Sequence, residues 1–85
     1  MSRINYSRAI SQAEDIDNIV KSLTAQITKL DEAILVSQIG WAGDAASAFI
    51  PKLSSIRREM ESTKNMMSGL ATELRNCADR INNEK

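Results

Sequence analysis

Acid-base, nucleophilic and metal-assisted chemistry each need particular side chains, and this chain supplies few of them. Among its 85 residues there is no histidine, which removes the group that titrates near neutral pH and the commonest nitrogen ligand of a metal. Cys77 is the only cysteine, so neither an internal disulfide nor a cysteine zinc cluster can form. Serines and aspartates occur throughout, but no glycine-rich phosphate loop accompanies them. Arg57 and Arg58 lie beside Glu59 and Glu61 without an aromatic partner, which reads as a solvated patch and not as a nucleic-acid contact. Eleven basic residues balance eleven acidic ones, so no net field draws a polyanion or an anionic membrane. The expectation is a non-enzyme with no catalytic residue, metal, cofactor, small-molecule substrate or nucleic-acid partner.

What remains is a structural signal, the stretch Gly40-Trp41-Ala42-Gly43. It holds the sole tryptophan and two of the three glycines, near the middle of the chain. A glycine supplies the positive φ that ends a first helix, a second frees the backbone for a tight reversal, and Asp44 then caps or begins a second helix. On physics alone Trp41 is an end-plug across that reversal, and Gly43 is a backbone requirement of it.

Both flanks carry helical periodicity. In the first, Ala9, Ala13, Ile16, Val20, Leu23, Ile27, Leu30 and Ile34 follow at steps of four and three, a heptad seam over more than three repeats. The spacing predicts a helix over about 7–39, with Asp17 and Lys21 as a favourable surface pair. Near its end Ala33, Leu35, Val36 and Ile39 add apolar area beyond the seam. Either they fold under the turn and Trp41, or they meet a second chain.

After the turn, Ala46 and Phe49 open a second seam through Leu53, Ile56, Met60, Thr63, Met67, Leu70, Leu74, Cys77 and Ile81. Cys77 reads as a small buried group, and Met60, Met66 and Met67 as core filler, with an adaptable binding surface as the alternative. The predicted helix covers about 44–82, with a kink or break near Pro51, whose ring removes a hydrogen bond and crowds the carbonyl four residues earlier. One domain, an all-α antiparallel helical hairpin with its turn at 40–43, accounts for the whole pattern. Two helices on the order of 50 Å long make a thin pair with little core, so two hairpins are expected to pair into a four-helix bundle dimer.

Gly40-Trp41-Ala42-Gly43-Asp44-Ala45-Ala46-Ser47-Ala48-Phe49 resembles the Trp-x-Gly turn, followed by Ala and an Ala-Phe pair, of the WXG family of small ESAT-like substrates of the type VII (ESX) secretion system. Chain length, the central turn and the hairpin pattern agree with it. The resemblance implies a non-enzymatic hairpin, paired as a homodimer or as a heterodimer with a related WXG- or LXG-type helical protein. It implies export in a folded dimeric state with the help of the system's membrane ATPase. It assigns Trp41 and Gly43 to the export signal, with Gly40, Ala42, Asp44 and Phe49 supporting the turn. Ile16, Val20, Leu23, Ile27, Leu30, Ile34, Leu53, Ile56, Met60, Met67, Leu70 and Leu74 then pack the hairpin or the dimer.

Family members often carry Tyr-x-x-x-Asp/Glu late in the second helix. Here Cys77, Ala78 and Asp79 stand near that place, and no aromatic residue follows Phe49. The missing ring implies either that a partner's tail supplies the signal beside this turn, or that the chain is a targeting partner, an adaptor or chaperone for an LXG-type toxin. The N-terminal residues have no apolar run after their charge, so export is expected without a cleavable signal peptide, from a cytoplasmic pool. A retained structural coiled coil is the reading from another class. Membrane lysis by the amphipathic helices is a weaker one, because the chain is neutral and the two seams can cover each other.

Overall fold

A computed structural model describes residues 3–40 and 43–83, apart from the side chains of Arg3, Ile4 and Ala45. Every described residue is helical. Helix α1 runs Arg3–Gly40 and helix α2 runs Gly43–Asn83, two helices joined as an antiparallel hairpin. Trp41 and Ala42, on which the turn signal rests, lie outside the described residues.

Pro51, where the sequence suggested a kink or a break, lies inside α2, and the helix continues through it unbroken. Proline removes only one backbone hydrogen bond, the one that would reach the carbonyl of Ser47. Both Pro51 and Ser47 are exposed, so water can take that carbonyl.

The hairpin divides into two compact units. The first joins Met1–Lys21 to Asn65–Lys85. Its most buried side chains are three alanines, Ala13, Ala71 and Ala78, whose small size lets two helices approach closely. Tyr6, Ile10, Ile16 and Val20 from α1 and Met67, Leu74, Cys77 and Ile81 from α2 are half-buried around them.

The second unit is Ser22–Lys64 and contains the reversal. Ile27 is its buried apolar centre, with Leu23, Leu30 and Ile34 half-buried along the same seam. Ser37 is buried too, and its hydroxyl donates to the Ala33 carbonyl at 2.8 Å, which satisfies the polar group inside its own helix. From α2 come Ala46, Ile50, Leu53, Arg57, Met60 and Lys64, all half-buried.

The side of α2 that packs on α1 is therefore not quite the seam read from hydropathy. Leu53 and Met60 in one unit, and Met67, Leu74 and Ile81 in the other, are common to both. The alternate positions shift by one residue: Arg57 and Lys64 pack where Ile56 and Thr63 were expected, Ala71 packs where Leu70 was expected, and Ala78 is buried beside a half-buried Cys77. Small alanines allow closer approach than leucine does, and the stems of Arg57 and Lys64 cover apolar surface while their charged ends reach carboxylates.

Candidate interaction surface

At the reversal the left-handed conformation falls on Gly43, with φ 65°. Gly40 is the last residue of α1, and among the described residues Gly43 is the one with positive φ. The positive φ is thus placed at the entry to α2 and not at the exit from α1. Asp44 is exposed in the first turn of α2, where its charge complements the positive end of the helix. Phe49 stands little more than one helical turn further on, 43% exposed.

Three polar contacts tie α1 to α2 that hydropathy could not reveal. In the first unit the Arg75 guanidinium donates to the Asp17 carboxylate, and the Tyr6 hydroxyl donates to Asp79 at 3.3 Å. In the second, Arg57 Nε donates to Asp31 Oδ1 at 2.7 Å and Nη2 to Oδ2 at 3.4 Å. Arg57 also approaches Glu61 at 3.8 Å, and Lys64 Nζ holds Glu61 at 2.9 Å. Arg57 is therefore not half of a solvated Arg57-Arg58 patch, whereas Arg58 and Glu59 are exposed as that reading required. Asp17 likewise turns to Arg75 across the pair, with Lys21 a lesser influence.

These contacts shift the titration of the groups that make them. The hydrogen bond from Arg75 holds Asp17 below the usual carboxylate range, against a smaller opposing effect of desolvation. The neighbouring Asp79 charge, then its hydrogen bond, raises the Tyr6 phenol. Asp31 raises Arg57, and Asp17 raises Arg75, each chiefly through the hydrogen bond. None of these groups sits in an enclosed pocket with a nucleophile, so the pattern is that of cross-helix clamps.

The remaining expected packing residues divide into two sets. Ile16, Val20, Leu23, Ile27, Leu30, Ile34, Leu53, Met60, Met67 and Leu74 are buried or half-buried. Ile56 and Leu70 are not, at 47% and 50% exposed. In the second unit Phe49 and Ile56 stay open on α2, while Leu35, Val36 and Ile39 stay open on α1, the last at 78%. Helix α2 therefore does not cover the apolar surplus at the end of α1.

In the first unit Ile19 and Met66 are also exposed. An open groove of about 710 Å³ runs beside Ile16, Leu70, Leu74 and Cys77, with Glu73, Asn76 and Arg80 at its polar edge. An open apolar groove with a charged rim suits a side chain or a helix face better than a small polar substrate. Among the described residues no cluster of acidic, histidine or cysteine side chains could hold a metal ion, and no helix is long and apolar enough to cross a membrane.

A family model described as "proteins of 100 residues with WXG", WXG100, matches residues 2–83. No curated protein and no solved structure gave a significant match.

Proposed function

The chain belongs to the WXG100 family, small helical and generally non-enzymatic proteins tied to type VII secretion, and from that premise we propose that it is a secretion substrate or targeting partner. It pairs with a second helical hairpin, the same chain or a related WXG- or LXG-type protein. Its turn, Trp41 and Gly43, contributes to an export signal read by the secretion ATPase.

The observation that carries this reading is the apolar face that each unit leaves open on α2: Phe49 and Ile56 in one, and Leu70 with its groove in the other. Exposed apolar area of this kind, beside charged residues, marks a protein contact. The test is secretion from a host with active type VII machinery. Wild-type chain is expected in the culture supernatant, and Trp41→Ala is expected to stay in the cell with its helicity and mass intact. Equal secretion of the two would remove the turn from the signal. Retention of both would favour a structural coiled coil that is never exported.

A second reading, an adaptor for an LXG-type toxin, is favoured by one feature of α2. No aromatic residue follows Phe49, so the helix lacks the Tyr-x-x-x-Asp/Glu element through which many members are recognised. Under this reading the chain is exported only when co-expressed with its partner.

A further inference from the structure

The first unit brings together two groups that the sequence holds 73 residues apart. Tyr6 is the only tyrosine of the chain; it stands near the start of α1, and its hydroxyl donates to Asp79 Oδ1 at 3.3 Å. Asp79 is the only acidic residue of α2 beyond Glu73. Ala78 beside it is buried, and so small a side chain lets α1 come near enough for the phenol to reach across. Tyr6 is half-buried and Asp79 is exposed, so part of the ring and the carboxylate face solvent side by side.

Late α2 offers Asp79 no ring of its own, because no aromatic residue follows Phe49. The place four residues before Asp79, on the same face of the helix, holds Arg75, whose guanidinium is turned to Asp17. Arg75 therefore leaves the carboxylate to Tyr6. A cationic side chain of a partner can meet both groups at once, the carboxylate by charge and the ring by its face.

We propose that Tyr6 and Asp79 together form the aromatic-acidic recognition element of this chain, with the ring supplied by α1 and the carboxylate by α2, in place of the Tyr-x-x-x-Asp/Glu run that α2 lacks. The inference rests on the secretion reading and adds a second contact for the machinery beside Trp41 and Gly43. It also adds a condition. An element carried by one helix exists wherever that helix exists, whereas one divided between α1 and α2 exists only while the two are packed together. Export is then restricted to chains whose first unit is folded, and no partner's tail is needed to complete the signal.

The experiment follows export of full-length chains from a host with active type VII machinery, expressed alone and with a related helical partner, with circular dichroism to confirm helicity. Tyr6→Leu fills the same place without a ring and is expected to lower export roughly tenfold in the setting where the wild-type chain is exported. Tyr6→Phe, which keeps the ring, is expected to retain most of it. Arg75→Tyr added to Tyr6→Leu returns a ring beside Asp79, now from α2 itself, and is expected to restore export. A residue that only braced the hairpin would not be replaced in this way.

Equal export of Tyr6→Leu and wild type would overturn the proposal and leave the secretion reading standing, as would a loss in Tyr6→Leu that Arg75→Tyr does not restore. Should Tyr6→Leu lose helicity, Asp79→Asn at its exposed position gives the second test, and unchanged export of that variant would overturn the proposal. A wild-type chain that stays in the cell in both settings would instead overturn the secretion reading, and the proposal with it.

Discussion

Arg57 on α2 clamps Asp31 on α1 with two hydrogen bonds, at 2.7 and 3.4 Å, and its stem lies half-buried between the helices of the second unit. The contact joins charge pairing to packing. Both groups keep much of their water, so the charge contributes little by itself, while the stem covers apolar surface. Arg57→Ala is expected to lower the thermal midpoint of unfolding by about a few degrees. Arg57→Met, which keeps a long apolar stem, should recover most of that loss, as followed by far-UV circular dichroism.

The Asp17 clamp makes an acid-sensitive contribution. Because Arg75 lowers the Asp17 pKa in the folded chain, the carboxylate form is bound more tightly than in the unfolded chain. Its stabilisation is complete above the unfolded value and is lost as the pH falls through the lower, folded one. Asp17→Asn is therefore expected to lower the midpoint near pH 7 and to lose part of the further fall on acidification towards pH 3. Thermal melts of both chains across that range check this.

The Tyr6 contact has the opposite sign. Asp79 raises the phenol, so the fold favours its protonated form. That stabilisation is present below the unfolded value of 10.0 and disappears as the pH rises through the folded one. Tyr6→Phe should show less loss of stability between neutral pH and strongly alkaline pH than the parent, in the same melts.

The two glycines of the turn are expected to behave differently. Gly43 has φ 65°, and the space around it is open, so an added Cβ meets backbone strain and no clash. Gly43→Ala should cost about 1–2 kcal/mol. Gly40 is helical and equally unobstructed, so Gly40→Ala should be neutral or stabilise by about 0.5 kcal/mol. Urea unfolding of the two variants separates them.

Ala71 and Ala78 are 1% exposed at the close approach of the first unit. Leucine at either place is expected to overpack it and to destabilise by about 1–3 kcal/mol. The same urea titration reports the loss as a lower midpoint with an unchanged slope.

The hairpin was legible because large apolar residues at steps of four and three mark helices plainly, and because two glycines flank one tryptophan between them. On α1 the seam from Ala9 to Ile34 stands inward throughout, since nearly every position carries an aliphatic side chain. On α2 hydropathy misleads by one residue. Ile56 and Leu70 score as core and remain open, whereas Arg57 and Lys64 score as surface and pack through their stems. Ala71 and Ala78 give almost no hydropathic signal, yet their small volume is what lets the helices meet.

The clamps of Asp17 with Arg75 and Asp31 with Arg57 depend on the register of one helix against the other. A single helix's periodicity does not contain that information. The positive φ at Gly43 in place of Gly40 is a similar case, because either glycine could have carried the reversal.

The most direct test of the pairing surface is solution mass by light scattering, for the wild-type chain and for Ile56→Asp with Leu70→Asp. Both positions are exposed in the hairpin, so the double variant should keep its helicity. Alone or with a co-expressed related hairpin, the account predicts a wild-type mass above that of the 9.4 kDa chain and a single-chain mass for the variant under the same conditions. A wild-type chain that stays single in both cases, or a variant that still pairs, would contradict it.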